Sequence, residues 1–331
     1  MAEPSNSLTA HLRPLDAGEA VVSAAFLSGE PVFALADGRL KFPLVERETT
    51  AHPEGAILCA FRDGERLLTG GDDGLVVATD AEGRTETLAD EKGRWIDALT
   101  ARDGAVSWSS GKIVRARDAK GTVKTWTAPT SARGLAFLPK GYRVAAAHYN
   151  GVSLWFPNAD AAPQVLEWKG SHLDATSSPD GRFLVTSMQE NALHGWRLTD
   201  SRNMRMTGYP AKSRSLSWSH DGHWLATSGA DACVVWPFKD KDGPMGKAPR
   251  ECGVRPHRVT ATAFHPRALV VAIGYWDGLV MLCRLGDAAE ILVRDAAPSQ
   301  GAISALAWDQ SGARLLIGTD AGAAGLLVLP A

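Results

Sequence analysis

One block of sequence returns eight times along the 331 residues, and that recurrence restricts the fold more than any other feature. Each copy is a short apolar strand ending on an anchor residue, a polar turn with Gly, a second apolar strand, a further Gly or Asp turn and a third strand. The copies open at Ala24, Cys59, Asp97, Leu135, Ala175, Leu216, Thr262 and Leu306. Their first-strand anchors are Phe26, Phe61, Leu99, Phe137, Ser177, Trp218, Phe264 and Trp308, and they recur at intervals of 35 to 46 residues. A period of that length fits one four-stranded sheet per copy.

The segments have the length of strands, not helices. Leu67-Leu68, Val270-Val271-Ala272-Ile273 and Leu315-Leu316-Ile317 are apolar without alternation, as expected of strands covered on both faces. Ser178-Pro179-Asp180-Gly181, His220-Asp221-Gly222, Arg62-Asp63-Gly64, Asp72-Asp73-Gly74, Asn150-Gly151 and Asp277-Gly278 read as hairpin turns. No long apolar stripe of period 3.6 occurs, which excludes helical repeats. The sequence predicts a single all-β domain over 1–331 with no helix longer than two turns.

Hydrophobic residues make up 45% of the chain, enough for a large core, and the formal net charge is −2. Bulk charge therefore gives no reason to expect nucleic acid or an acidic membrane as partner. Cys59, Cys233, Cys252 and Cys283 form no C-x-x-C and no pair with zinc-ligand spacing, so free thiols in a reducing compartment are expected. The segment MAEPSNSLTAHLRP lacks the basic start and apolar core of a secretory signal, and no run of about 18 apolar residues occurs. These features together predict a cytoplasmic protein.

The repeats resemble those of the WD-repeat β-propeller family over nearly the whole chain. Repeat two carries the resemblance well: His52 lies nine residues before Phe61, and Arg62-Asp63-Gly64, Leu67-Leu68 and Asp72-Asp73-Gly74 follow in family order. Repeat seven opens similarly, with His257 before Phe264. Trp155, Trp196 and Trp236 stand in the tryptophan slot that ends the third strand, but none is followed by Asp. Trp276-Asp277 and Trp308-Asp309 lie elsewhere in the repeat. No repeat carries the full His, Ser/Thr, Asp and Trp hydrogen-bond set, and repeat three is the weakest copy.

The resemblance implies a closed β-propeller of four-stranded antiparallel blades, eight by the repeat count, with seven as the alternative. Repeat eight ends without room for a fourth strand, whereas Leu8, Ala10 and Leu12 alternate with polar residues before repeat one. An N-terminal strand from Leu8 to Leu12 is therefore expected to complete the last blade, since an open ring would leave strand edges unpaired.

No G-x-S-x-G, H-E-x-x-H or phosphate-binding loop is present, and the carboxylates fall mostly in turns, so no catalytic residue, metal ligand or cofactor is expected. His52, His172 and His257 each open a first strand, where hydrogen bonding to turns explains them better than metal binding. Five of the eleven tryptophans, Trp155, Trp196, Trp218, Trp236 and Trp308, fall at core positions, and Trp126 and Trp168 at half-covered outer strands.

Trp95 and Trp276 lie in connections that, in this family, border one face of the disc, called the top. Arg133, Arg214 and Arg258 stand near first-strand entries, and Tyr149 and Tyr275 in turns matched to that of Trp276. Arginine with Trp and Tyr is the composition of binding hot spots. The competing reading pairs each arginine with a turn acid such as Asp73, Glu190 or Asp231. The family resemblance implies a non-enzymatic scaffold, monomeric on its own, binding a protein or an acidic-hydrophobic peptide through Trp95, Arg133, Tyr149, Arg214, Arg258, Tyr275 and Trp276. A propeller enzyme or small-ligand binder using the central funnel is the competing function. The charged, Pro- and Gly-rich insertion 237–256 is a second candidate partner surface.

Overall fold

The computed structural model describes residues 7–330. Among them, helix is confined to two short 3-10 turns, Thr9–His11 and Pro298–Gln300, and the regular structure is otherwise antiparallel strand. Repeats one, two, three, six, seven and eight each build one four-stranded sheet. Repeats four and five share a six-stranded one, so the eight sequence repeats occupy seven hydrogen-bonded sheets.

The shared sheet arises from two long strands. Val144–Trp155 pairs with Gly134–Phe137 through Val144–Ala147, and with Gln164–Ser177 through Gly151–Leu154. It cannot be straight, because His148 Nε2 lies 2.9 Å from Ser153 Oγ. The reversal is made at Asn150 and Gly151, with φ of 69° and 144°. Gln164–Ser177 likewise serves twice, pairing next with Phe183–Met188 through His172–Ser177.

The ambiguity in the count therefore lies at repeats four and five, not at repeat three. Repeat three forms its own sheet from Ala98–Arg102, Ala105–Ser110, Ile113–Arg117 and Val123–Thr127. Its weak sequence pattern has a local cause. Buried Glu91 accepts a hydrogen bond from Trp108 Nε1 at 2.8 Å and pairs with Arg115, and this network holds the repeat in place of the family's histidine set.

The described chain divides into two compact units. The second comprises Asp37–Leu40 and Glu48–Lys212, which includes repeats two to five, and the first contains repeats six, seven, eight and most of one. Within each unit, consecutive sheets sandwich their apolar faces. Val271 and Ile273 pack with Val235 and Cys233 of repeat six, while Ala272, between them on the strand, faces Ile303 and Leu315 of repeat eight. In the second unit, Val76 and Leu68 pack with Ile96 and Val106, and Val114 and Ala116 with Phe137 and Val144. Two-sided burial is why these strands read as unbroken apolar runs.

A recurrent lock joins successive repeats. A register shift near the start of the first strand occurs in repeats one, two, seven and eight. In repeats two, seven and eight, the residue after it faces a glycine on the second strand: Cys59 faces Gly70, Ala261 faces Gly274 and Ala305 faces Gly318. A Cβ on Gly70, Gly274 or Gly318 would lie 2.5, 2.4 or 2.6 Å from Ile96, Ile303 or Val21, the β-branched residue entering the next repeat. Hydroxyls add stitches: Thr260 donates to Ile303 O at 2.6 Å, and Ser304 to Val21 O at 2.6 Å.

The last blade is completed from the N-terminal side, but by a different segment from the one expected. Leu12–Asp16 pairs antiparallel with Ala323–Val328, Leu12 facing Leu327 and Asp16 facing Ala323. Thr9–His11 is a 3-10 turn, and Leu8 and Leu12 pack with the cluster around Leu315 and Leu327. The alternation of Leu8, Ala10 and Leu12 is a turn that sets down two leucines.

Two outcomes test this architecture. Gly274→Ala should cost about 1–3 kcal/mol, the cost of overpacking a filled core, whereas Gly286→Ala, whose Cβ meets nothing within 4 Å, should leave the melting midpoint unchanged. Deleting the chain through Asp16 should lower stability by several kcal/mol, since it bares the edge of Ala323–Val328; calorimetry showing equal midpoints would remove the closing role of this strand.

Candidate functional site

In the first compact unit, the turn between the second and third strands of repeat seven displays an aromatic and a cation together. The turn Tyr275-Trp276-Asp277-Gly278 is closed by Gly278 N–H donating to Tyr275 O at 3.1 Å, with Gly278 at φ 82°. Asp277 is buried and holds the turn from inside: its Oδ1 accepts from Leu279 N–H, and its Oδ2 lies 3.1 Å from Arg255 Nη2. Trp276 is left 55% exposed. The Arg258 guanidinium stands over its ring, 5.0 Å from the centroid, and Trp276 N–H donates to Arg258 O at 2.9 Å.

Tyr275, expected at a partner surface, is fully buried. It is the last residue of Val270–Tyr275, not a turn tip, and its hydroxyl donates to Gly253 O. Its ring underlies Arg255, 5.3 Å away. It braces the turn and cannot touch a partner. His257 also departs from the family position. It is half exposed, 3.8 Å from Asp277 Oδ2, and Arg255 takes the inner place against the aspartate. Arg214 is exposed, on a backbone held by Ser228 Oγ, which accepts from the N–H groups of both Arg214 and Ser215.

In the second unit, Trp95 is 62% exposed, two residues before Asp97. Asp97 Oδ1 lies 2.7 Å from Arg133 Nη1, and its Oδ2 accepts from Gly111 N–H at 2.6 Å. Arg133 thus follows the ion-pair reading, although with Asp97 and not with the acids considered. Tyr149 is half exposed and lines a cavity with Trp168 and Glu190. The structure therefore joins Arg258 to Trp276, gives Arg133 a carboxylate, sets Tyr149 at a separate cavity and withdraws Tyr275. Sequence reading missed Arg255 and the burial of Asp277. The adjacent turn signal Asp277-Gly278 marked the place but not the partner.

Among the described residues, no group of three or more His, Cys, Asp or Glu could hold a metal ion, and no helix is long and apolar enough to cross a membrane. All four cysteines are free thiols.

The family model for the WD domain, G-beta repeat, matches residues 203–236, which run from the outer strand of repeat five through the third strand of repeat six. WD repeat-containing protein 1-B of Xenopus laevis is 34% identical over 82 residues, 24% of this chain and 14% of that protein. Among solved structures, the computationally designed protein Ika8 superposes with a TM-score of 0.77 at 17% identity, covering 95% of this chain and 98% of its own. A chain of the Mitotic Checkpoint Complex gives 0.67 at 13% identity, covering 100% and 98%. The chain has the β-propeller fold and carries a WD repeat at residues 203–236. The two structural likenesses speak for the fold alone, and the sequence relative is matched over a small part of its length.

The polar interior differs from repeat to repeat. In repeat two, buried His52 donates from Nδ1 to Asp73 at 3.0 Å, and its Nε2 lies 2.8 Å from Thr69 Oγ1. In repeat five, His172 lies 2.7 Å from Thr186 Oγ1 and donates from Nε2 to Trp168 O at 3.0 Å. His148 donates to Tyr149 O. His194 is buried with neither ring nitrogen hydrogen-bonded, stacked 3.9 Å from Trp168. Burial pushes the imidazole of His194 down to about 3, with like charge from His172 and Arg205 adding to the effect. Burial also lowers His148 and His172.

These histidines enter the fold neutral. The unfolded chain takes up protons below the ordinary histidine value of about 6.5, and the folded chain does not until lower pH. Their contribution to stability is intact above that value and is lost as pH falls towards the folded values. Denaturant unfolding at stepped pH should show stability falling below about pH 6.5, by up to about 1.4 kcal/mol per pH unit for each such histidine. His194→Phe should make that decline shallower.

Proposed function

We propose that this propeller is a non-enzymatic scaffold whose partner docks on the Arg258–Trp276 turn, with Arg214 of the same compact unit contributing. WD-repeat propellers are typically protein-interaction scaffolds and generally not enzymes, and that general role is the frame for the proposal. The observation that carries it is the display of Trp276. A large indole is held outward by a turn whose aspartate is buried and ion-paired, with a guanidinium already laid over its ring. Such a pair costs little side-chain freedom on binding, because Arg258 is oriented before the partner arrives.

Guanidinium groups receive carboxylates in a fixed fork, and the indole supplies rigid apolar area. The partner surface is accordingly an acidic-hydrophobic peptide or loop. In the second unit, Trp95 and Arg133 offer the same residue types, with Arg133 already engaged by Asp97. Free thiols and the absence of an apolar helix among the described residues agree with work in the cytoplasm.

The test uses a partner captured from the native cell and its measured affinity for variants. Trp276→Ala and Arg258→Ala should each weaken binding by about 1–2 kcal/mol or more while the melting midpoint stays in place. Trp236→Ala, a buried core change, should instead lower stability by roughly 3–5 kcal/mol. Equal affinity of the partner for wild type and the double variant would exclude this turn, and the insertion 237–256 would be tested next.

A further inference from the structure

A second candidate site lies in the second compact unit, where repeats four and five share their sheet. A cavity of about 390 Å³ is lined by Tyr149, Trp168, Lys169, Glu190 and Arg205, with Met188 among its apolar walls. The volume falls within the range of small-ligand sites. Its floor is built. Trp168 lies nearly parallel to His194, with ring centroids 3.9 Å apart and planes 16° from parallel. That imidazole is buried with both nitrogens lacking hydrogen-bond partners. Leaving such a group unsatisfied is expensive, and an apolar ring would fill the position without that penalty.

Several exposed charges elsewhere are paired, as in Arg84 with Asp80, Arg197 with Asp200 and Arg284 with Asp287. Glu190, Arg205 and Lys169 share one cavity, yet among the described residues none of the three forms an ion pair. Glu190 is nonetheless fixed. Its carboxylate accepts from Ser171 N–H at 3.1 and 3.3 Å, and a Cβ added at Gly170 would lie 3.0 Å from its Oε1. A carboxylate anchored by backbone, sharing a cavity with two cations it does not pair with, presents both signs of charge to a ligand.

We propose that this cavity binds a dipolar ligand, with an apolar or aromatic body resting on Trp168 and Tyr149, an ammonium at Glu190 and a carboxylate at Arg205 and Lys169. A simple anion would meet repulsion from Glu190, and a simple cation would meet two like charges. Only a ligand carrying both signs uses all three groups. The chemistry has two sources: a free aromatic amino acid, or a peptide segment with an aromatic residue between a basic and an acidic one. The site shares no residue with the Arg258–Trp276 turn.

Calorimetric titration of the full chain separates the outcomes. Free L-phenylalanine and the end-blocked peptide acetyl-Lys-Phe-Glu-amide are the probes; N-acetylphenylalaninamide, phenylacetate and phenethylamine are the controls. Binding of the free amino acid, or of the blocked peptide, identifies the source, and at least one must bind more tightly than every control. Glu190→Gln and Arg205→Gln, both surface changes, should each reduce that affinity by about tenfold, and Trp168→Leu should abolish it. Trp276→Ala should leave it untouched, so this site and the partner turn fail or stand separately. The proposal is overturned if neither dipolar probe binds at millimolar concentration, if phenylacetate or phenethylamine binds as well, or if both charge variants bind like wild type.

Discussion

The contact on which much else depends is the one between a glycine in one repeat and the β-branched residue that opens the next. Gly70 against Ile96, Gly274 against Ile303 and Gly318 against Val21 leave no room for even one added methyl. A sheet that is apolar on both faces must lie flush with its neighbours, and flushness fails wherever a side chain holds two strands apart. The bulge beside each of these glycines re-aims the first strand towards its neighbour. Hydroxyls of Thr260 and Ser304 then use the carbonyls brought within reach. Between repeats four and five the approach is of backbone to backbone, with Gly134 against Leu173 to Ala175.

Once the sheets are fixed in this way, the polar interior of each repeat is free to vary. Repeat two uses His52, Thr69 and Asp73; repeat three uses Glu91, Trp108 and Arg115; repeat seven sets Arg255 against Asp277 over Tyr275. All three tie a turn to a buried strand through side-chain hydrogen bonds or ion pairs. The variation explains why the repeats look degenerate by motif while their strands and turns stay regular.

Much of the fold could be read in the sequence because two-sided burial and turn chemistry write directly into residue types. The unbroken run Val270 to Ile273 and the tryptophans at 155, 196 and 236 are buried as that reading requires, Val270 alone being only partly covered. The N-terminal strand was legible as a need but not in place. A three-residue 3-10 turn can mimic alternation, and Leu12-Arg13-Pro14-Leu15-Asp16 carries little apolar signal for an edge strand. The merger of repeats four and five was hidden because hydrogen-bond continuity across Tyr149 to Ser171 depends on backbone paths. At the candidate site, exposure of Trp95 and Trp276 followed from their place in connections. Tyr275 did not, since one residue decides whether a ring lies at the end of a strand or at the tip of its turn. The lock glycines were visible as isolated glycines within strand patterns, a known mark of close approach, but their partners belong to the next repeat.

The pairing of Leu12–Asp16 with Ala323–Val328 has a temporal consequence. During synthesis Leu12–Asp16 emerges before all eight repeats, and its hydrogen-bonding partner Ala323–Val328 emerges only after the first seven. Ser304 and Val21, joined by a hydrogen bond, are separated by 283 positions in sequence. Until repeat eight is released, repeat one lacks the neighbour that covers Val21 and Phe33, and Leu12–Asp16 has no sheet to join. Contacts of such long range are slow to form and leave strand edges open to wrong partners in the meantime. Leu12–Asp16 and repeat one thus wait, open to wrong partners, through the making of every repeat between them and Ala323–Val328.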